Sequence, residues 1–227
     1  MKTFPALALI ALITLPFGHG PAAAAADPGD PQVLVRHTVD TLSSAVEADL
    51  TLLGEDPFAA MALLDQVLSP HVDLPLISRL ILGRRWKAAT PAEQDAFVDA
   101  MHRMLLRMFA LHLKDYRDVS VDYLPTEYRG DQGQRAIVRT RVASPRRPTV
   151  SVDYRMTWDG SAWKVYDVSL FGVSVVRTYH HMVKSVVERR GIAALIADME
   201  AMAPLPPRNC RESQWAGEPE IRGCQGQ

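Results

Sequence analysis

The chain has 227 residues, 48% of them hydrophobic, with 25 basic and 26 acidic residues and a formal net charge of −1. This length and composition suit one domain with a sizeable core, and the near-neutral charge argues against bulk binding to nucleic acid. The sequence contains no GxGxxG, P-loop or HExxH motif, so it carries none of the commonest signatures of a dinucleotide, nucleotide or zinc-protease site.

The first 26 residues have the pattern of a secretory signal peptide. Lys2 supplies the positive start, residues 4–17 form an apolar stretch, and an Ala-x-Ala pattern ends at Ala26. The stretch is too short to span a bilayer as a helix. We predict cleavage after Ala26 and export of the remaining chain, which then has 24 basic residues against 26 acidic ones because only Lys2 is lost. A retained membrane anchor is the alternative.

Four helices are predicted in the first half of the chain, because capping residues precede segments in which apolar side chains recur every three or four positions. The N-cap residues are Asp30, Asp56, Asp73 and Thr90, and Thr90 also opens a capping box with Glu93. The third helix is apolar on nearly every side, which indicates burial or the lining of an apolar space. The predicted helices cover residues 31–53, 57–68, 74–82 and 91–114.

A short basic run, Arg84-Arg-Trp-Lys87, follows the third predicted helix. In one interpretation Trp86 anchors a solvated loop in the core, since large aromatic side chains are highly buried on average. In the other interpretation the run contacts a lipid head group or a docking partner.

Alternating apolar residues predict four antiparallel strands, near residues 119–123, 136–142, 149–157 and 162–170. Asp159-Gly160 predicts a tight two-residue turn between the last two strands. The opposed pairs that follow from this turn are Met156 with Trp163, Tyr154 with Val165, Val152 with Asp167, and Val150 with Ser169.

Asp167 is the candidate for chemistry in this register, because it falls on the apolar face of the sheet, opposite Val152 and near Tyr154. A carboxylate in such a place is a candidate general base. The alternative is that Asp167 accepts hydrogen bonds from backbone groups where the strand turns into the following helix.

The last predicted helices begin after Gly172. Ser174 is the predicted N-cap of a long helix, which Gly191 separates from a final helix over residues 192–202. His180-His181 has no third ligand at a recognisable spacing, so no metal site is predicted. The proline-rich tail, residues 204–227, holds Cys210 and Cys224, which would form a disulfide in an oxidising compartment or remain as free thiols.

Helices followed by an antiparallel meander and further helices predict an α+β fold, with helices on one face of a four-stranded sheet. The predicted organisation is a signal peptide at residues 1–26, one domain at residues 27–203 and the flexible tail. Sequence alone does not separate extra core from a cavity on that face.

Three motifs resemble those of the MlaC-like family, the periplasmic phospholipid-binding or toluene-tolerance (Ttg2-type) family of Gram-negative bacteria. They are Leu82-Gly-Arg-Arg-Trp86, Thr90-Pro-Ala-Glu-Gln94, and Trp163-Lys-Val-Tyr-Asp-Val168 leading to Gly172-Val-Ser-Val-Val176. The similarity covers residues 31–202. It implies an NTF2-like sheet with helices around a deep apolar pocket for acyl chains, without enzymatic activity or a cofactor.

The resemblance also implies a location and partners. Family members are periplasmic shuttles between an outer-membrane lipoprotein–porin complex and an inner-membrane ABC transporter with an MCE-domain subunit, and they maintain outer-membrane lipid asymmetry. This chain departs from the family at His180, where arginine is usual, and at Phe109, where tyrosine is common. Two alternatives stay open: a carrier of another amphiphile such as a hopanoid, and an isomerase or hydrolase that uses Asp167 and Tyr154.

Acyl chains moving through water need a dry cavity with adaptable apolar walls. Apolar positions predicted to face inward on the helices and strands are therefore the candidate lipid contacts. They are Leu76, Leu80, Phe97, Met101, Leu105, Met108, Val138, Val152, Tyr154, Met156, Trp163 and Val165.

Overall fold

A computed structural model describes residues 29–48, 56–113, 118–130, 133–145 and 147–201. The predicted signal peptide, the predicted end of the first helix and the tail with Cys210 and Cys224 lie outside these residues. Their predictions are therefore neither confirmed nor contradicted by the structure.

The described residues form five α-helices, and two short 3₁₀ segments join the second helix to the third and the third to the fourth. The helices are α1 (Pro31–Ala48), α2 (Pro57–Leu68), α3 (Leu74–Leu82), α4 (Pro91–His112) and α5 (Val175–Ala201), and the 3₁₀ segments are Ser69–His71 and Gly83–Ala88.

The predicted helix starts are confirmed by their hydrogen bonds. The Asp56 carboxylate accepts from the backbone N–H groups of Phe58 and Ala59, and the Asp73 carboxylate accepts from a backbone N–H in the first turn of α3. Thr90 and Glu93 form the reciprocal capping box. Each cap satisfies backbone donors that have no partner within the helix, which explains why these local signals determine where the helices begin.

Gly191 divides α5 into two helical segments, as predicted. Its φ of 82° and ψ of 173° lie outside the helical region. Glycine reaches this conformation without the steric penalty that a Cβ atom brings, so the second segment can fold back onto α3 and α4.

In the described part of the chain, six antiparallel strands form one sheet in the order β1-β3-β4-β5-β6, with β2 also paired to β3. The four predicted strands are confirmed, and the two short strands β2 and β6 were not predicted. The α+β, NTF2-like fold class is likewise confirmed. The strands are β1 (Ser120–Tyr123), β2 (Glu127–Arg129), β3 (Arg135–Ser144), β4 (Arg147–Trp158), β5 (Trp163–Leu170) and β6 (Val173–Ser174).

The predicted register between β4 and β5 is wrong. The connection contains four residues rather than two, because the Asp159 carboxylate accepts from the backbone N–H groups of Ser161 and Ala162 and from the Ser161 hydroxyl. These bonds stabilise a wider turn than the Asp-Gly pair suggests. The first opposed pairs are Trp158 with Trp163, Thr157 with Lys164, and Met156 with Val165.

A β-bulge shifts the register again further along β5. Met156 opposes Val165, but the next residue of β4, Arg155, opposes Asp167, so Tyr166 is the extra residue. Beyond the bulge, Val152 opposes Leu170 instead of Asp167. Opposed residues share a face of the sheet, and Asp167 therefore lies on the face of Arg155, not on the apolar face where the sequence placed it.

The free edge of β5 is covered by the chain that leads into α3. Val72 forms a parallel bridge with Val165, and the Asp73 N–H donates to the Val165 carbonyl at 2.9 Å. The Lys164 ammonium group also donates to the Pro70 carbonyl at 2.5 Å. These contacts join the helical layer to the sheet and protect an edge that would otherwise expose unpaired backbone groups.

The buried apolar side chains form three separate clusters. We call them the helical cluster, from α3, α4 and α5; the α2 cluster, from α1, α2 and α4; and the sheet cluster, from α1, β3, β4 and β5. The buried members of the helical cluster are Ile77, Ile81, Leu82, Phe97, Ala100, Met101, Val183, Leu195, Ile196 and Met199. Those of the α2 cluster are Val46, Ala60, Leu64, Leu106, Ala110 and Leu113. Those of the sheet cluster are Val35, Ala136, Val138, Met156 and Trp163.

Candidate functional site

The inner face of the sheet is the face that carries the sheet cluster. Because side chains alternate along a strand, the opposed pairs Ala136/Met156 and Val138/Tyr154 share this face. Val35 of α1 packs in the same cluster, so α1 covers part of it. The inner face is predominantly apolar, and α1 packs against it.

Parts of the inner face remain accessible on the central strand β4 and on its neighbour β5. Tyr154 belongs to the central strand β4, between the buried residues Val152 and Met156, yet it is only partly buried. Val165, opposite Met156, is also only partly buried. Protein interiors are normally close-packed. Accessible apolar side chains at these positions indicate a space beside the inner face that the side chains of the described residues do not fill.

The division of the core agrees with that space. A domain of this size usually has one contiguous core with smaller satellites, whereas here the helical, α2 and sheet clusters are separate. Met104 and Leu105 of α4 pack against the helical cluster and are themselves only partly buried. Apolar side chains on this side of the helical cluster are therefore partly exposed.

Six of the twelve predicted lipid contacts lie on the inner face. Three are buried in the sheet cluster, namely Val138, Met156 and Trp163. Tyr154 and Val165 pack against that cluster, and Val152 lies opposite Thr140 on the same face.

Five predicted contacts lie on the helices that surround the helical cluster. Phe97 and Met101 are buried between α3, α4 and α5, and Leu105 packs against them. Leu80 and Met108 are each 40% exposed, and the Met108 sulfur accepts from the Tyr179 hydroxyl at 3.1 Å. The structure thus brings Phe97 and Met101 together with other helices, not with the sheet.

The twelfth contact, Leu76, lines an open cleft of about 230 Å³ at the start of α3. Trp86 lines the same cleft and packs against the helical cluster, while its carbonyl accepts from the Gln94 side chain at 2.8 Å. These contacts match the interpretation of Trp86 as an anchor. Arg84 and Lys87 on either side are exposed, so they remain free for the docking role that the sequence left open.

Tyr123 of β1 lies on the inner face, and the sequence analysis missed its role. It packs against the sheet cluster, and the Arg36 guanidinium lies 3.9 Å from the centre of its ring. Its hydroxyl is buried, with no hydrogen-bond partner among the described residues. Burial raises the pKa of this hydroxyl, and Asp40 raises it further while Arg36 opposes the change. Strand alternation placed Tyr123 in β1 but could not show that α1 packs over it.

Tyr166 was also missed, because the bulge was not predicted. The expected register put it on the polar face, opposite Asp153. In the structure Tyr166 is the extra residue of β5 and packs against the helical cluster. It therefore provides a direct contact between the sheet and the helices.

Asp167 joins the end of the sheet to α5. Its buried carboxylate accepts from the Arg155 guanidinium at 3.0 Å, the Ser174 hydroxyl at 2.7 Å and the Val176 N–H at 3.1 Å. The Ser174 hydroxyl in turn accepts from the Arg177 N–H at 3.0 Å, which confirms Ser174 as the N-cap. This arrangement is the structural role that the sequence offered as the alternative to a general base.

The two residues of the enzyme hypothesis are not brought together. Tyr154 opposes Val168, whereas Asp167 opposes Arg155. Since neighbouring positions on a strand point to opposite faces, Tyr154 and Asp167 lie on different sides of the sheet.

His180, one of the two departures from the family pattern, fills space at the end of α3. Its Nδ1 lies 2.8 Å from the Ile81 carbonyl, and a Cβ atom at Gly83 would lie 2.9 Å from its ring. Gly83 also has a φ of 58°, so both its backbone conformation and the ring of His180 require glycine there. The imidazole thus connects α5 to α3.

Within the described ranges, His, Cys, Asp and Glu side chains nowhere form a group of three or more that could hold a metal ion. None of the helices in the described part of the chain is long and apolar enough to cross a membrane.

A helix-covered antiparallel sheet with a partly accessible apolar inner face is the architecture of a protein that encloses an apolar or amphiphilic ligand. The sequence pattern of one family, described as MlaC protein, matches residues 36–201. The chain therefore belongs to the MlaC family, and the resemblance seen in the motifs is confirmed.

Named relatives and a solved structure agree with this assignment. The chain is 25% identical over 162 residues to the toluene tolerance protein ttg2D of Pseudomonas putida, covering 71% of this chain and 74% of the relative. It is 23% identical over 181 residues to the intermembrane phospholipid transport system binding protein MlaC of Haemophilus influenzae, covering 78% and 83%. A phospholipid-binding protein from Ralstonia solanacearum, solved in complex with a phospholipid, matches with a TM-score of 0.69 and 28% identity, covering 76% of this chain and 96% of that one.

Proposed function

We propose that this protein binds a phospholipid with its acyl chains between the inner face of the sheet and the helices, and carries it between membranes. The observation that carries the proposal is the accessibility of Tyr154 on the central strand β4, and of Val165 on strand β5, within an apolar sheet face. Hiding acyl chains from water is worth about 0.8 kcal/mol per CH₂ group. An unfilled apolar space is therefore what a lipid carrier needs.

The relatives support the same ligand class. The Ralstonia solanacearum protein, which shares the fold at 28% identity, was solved with a phospholipid bound. The Haemophilus influenzae relative is named as the binding protein of an intermembrane phospholipid transport system. Family membership over residues 36–201 makes the same ligand the simplest assignment for this chain.

We assign the closest acyl-chain contacts to Tyr154, Val165 and Val152 of the inner face, together with Leu105, which lies partly exposed on the helical side. Val138, Met156 and Trp163 are more deeply buried and would form the wall behind them. Phe97 and Met101 would then support the helical wall from behind, and the partly or fully exposed residues Leu76, Leu80 and Met108 would lie at or outside its rim. The Tyr123 hydroxyl, buried without a partner among the described residues, is available to a polar group of the lipid.

The proposal includes location and partners. The predicted signal peptide would deliver the protein to the periplasm. There it would receive and deliver phospholipid at an outer-membrane lipoprotein–porin complex and an inner-membrane ABC transporter with an MCE-domain subunit, and so maintain outer-membrane lipid asymmetry. The lipid is carried unchanged, since transport requires only its enclosure and release.

Lipid extraction from protein exported by a Gram-negative host tests the proposal. Mass spectrometry of the extract should identify phospholipid, in an amount comparable to the protein. Protein that has been delipidated in denaturant and refolded should carry none until it is incubated with vesicles. An extract with no lipid would contradict the proposal. A hopanoid in the extract would show that the protein carries this amphiphile instead of phospholipid, and lysophospholipid with free fatty acid would favour the enzyme hypothesis.

A further inference from the structure

The turn between β5 and β6 is a two-residue hairpin with an unusual occupant. Leu170 pairs with Val173, and between them Phe171 and Gly172 have φ values of 52° and 79°. Two consecutive positive φ values are the signature of a type I′ turn, in which Asn-Gly, Asp-Gly and Gly-Gly are strongly preferred. A bulky residue with positive φ is uncommon because its Cβ atom meets the backbone. Phe171 therefore strains the turn in which it lies.

The same turn exposes its apolar side chains. Leu170 is 44% exposed, Phe171 64% and Val173 62%, and nothing lies within 4 Å of a Cβ atom placed at Gly172. We call these four residues the apolar tip. Asparagine in place of Phe171 would relieve the strain and remove exposed apolar surface. A strained conformation and an exposed apolar side chain at one position indicate that Phe171 serves a contact outside the chain.

The apolar tip is continuous with the proposed lipid site. Leu170 opposes Val152, which lies on the inner face, so apolar surface extends along β5 from the interior to the outside. Arg177, which is exposed, lies in the first turn of α5, four residues after Val173. Its positive charge favours a negatively charged surface, at about 1 kcal/mol per basic residue close to an anionic membrane.

We propose that the apolar tip enters the interface of an anionic phospholipid bilayer while lipid is loaded or released. This inference rests on the proposed function, because it adds a contact with the bilayer to the exchange of lipid at the two membrane complexes. A protein partner fits less well. A standard protein interface buries about 800 Å² on each partner, more than three side chains at one turn provide. A small apolar tip with a basic residue nearby in the chain can bind a bilayer by inserting only as far as the boundary between headgroups and acyl chains.

The test compares three exported proteins: the wild type, Phe171→Asn and Val33→Gln. Val33 lies on α1 and is 61% exposed, so its substitution removes a similar exposed apolar side chain away from the tip. Each protein is measured for melting temperature, for co-purified phospholipid, for binding to vesicles of phosphatidylethanolamine and phosphatidylglycerol, and for the rate at which the delipidated protein takes up lipid from them.

Phe171→Asn should keep its phospholipid content and melt at the same or a higher temperature, because asparagine suits the turn. Its vesicle affinity and uptake rate should fall by roughly tenfold, since burying a phenylalanine side chain corresponds to at least one factor of ten. Val33→Gln should behave as the wild type.

Three results would overturn the inference. Unchanged vesicle binding and uptake in Phe171→Asn would show that the tip does not contact the bilayer. A lower melting temperature would show that Phe171 supports the fold after all. If the wild-type protein carries phospholipid but does not bind vesicles, the bilayer contact is refuted and the proposed function stands. If the wild-type protein carries no lipid, the proposed function itself is refuted.

Discussion

The helical cluster and the inner face of the sheet are both apolar, but they are packed differently. Phe97 and Met101 lie between three helices with 0% and 1% of their surface exposed. Tyr154 and Val165 lie on neighbouring strands of the sheet and remain partly accessible. The first region is a closed core that stabilises the fold, and the second keeps part of its apolar surface accessible. The difference shows that apolar composition alone does not distinguish core from binding site.

The largest expected effect comes from breaking the closed region. Phe97→Ala should lower the free energy of unfolding by about 3–5 kcal/mol, because it removes a fully buried aromatic side chain and leaves a cavity. Urea denaturation of delipidated protein measures this change. Val165→Ala is the matched substitution on the inner face, and it should cost roughly 1 kcal/mol, near the usual value for point mutants. A similar large cost at both sites would contradict the comparison.

A second substitution tests the corner that joins the sheet to α5. Asp167→Asn removes the charge that pairs with Arg155 and accepts from the Ser174 hydroxyl. We expect a loss of about 2 kcal/mol in unfolding free energy, since hydrogen bonds to charged groups contribute about that much. Lipid content should stay normal in the folded fraction.

The control for that substitution is Asp153→Asn, at a partly exposed carboxylate opposite Ser169 on the neighbouring strand. It should change stability by less than about 0.5 kcal/mol, as is usual for surface positions. If Asp167→Asn is as stable as the control and turnover of some substrate is lost, the structural assignment of Asp167 fails.

Local signals in the sequence were sufficient for the helices. Asp56, Asp73 and Thr90 satisfy backbone donors within three residues of themselves, so the information that starts each helix lies within one turn. The strands were found for the same reason, because alternation is a local property. The fold class followed from the order of these elements.

The candidate site was harder to predict because it depends on contacts between distant segments. The turn at Asp159 uses the aspartate side chain to make a four-residue connection, and the bulge at Tyr166 reverses the face of every later residue in β5. Neither feature has a reliable sequence signal. Phe97 and Val138 were both predicted to face the lipid, and only the tertiary structure shows that Phe97 packs between helices, away from the sheet.

The smallest expected effect concerns the turn at Asp159 between β4 and β5, which sets the register of the inner face. Hydrogen bonds from the backbone N–H groups of Ala162 and Ser161 lower the pKa of Asp159 from 3.8 to about 2. Because the pKa of Asp159 is lower in the folded state than in the unfolded chain, the carboxylate stabilises the folded state at pH values above 3.8. This stabilisation is lost as the pH falls from 3.8 towards 2. Asp159→Ala should therefore be slightly less stable at neutral pH.

The measurement is the melting temperature as a function of pH. The decline between about pH 4 and pH 2 should be shallower in Asp159→Ala than in the wild type, because the variant has one fewer carboxylate to protonate. Some decline should remain, since hydrogen bonds with Thr90 also lower the pKa of Glu93. Identical acid profiles would show that the Asp159 bonds do not persist in solution.

The central claim is that the space beside the inner face holds acyl chains, and Val152→Trp tests it most directly. Val152 is a buried residue of the inner face, next to the accessible Tyr154. In a close-packed core the indole would cost typically 1–3 kcal/mol by overpacking. In a lipid site it would occupy the volume that the acyl chains leave.

The decisive measurement is the phospholipid content of Val152→Trp beside its melting temperature after delipidation, because bound ligand itself raises apparent stability. Val138→Trp, at a fully buried residue of the same face, serves as the overpacking control and should lose stability. We expect Val152→Trp to fold, to melt near the wild-type temperature and to lose most of its phospholipid. A variant that unfolds like the control, or that folds and retains its full lipid, would contradict the claim.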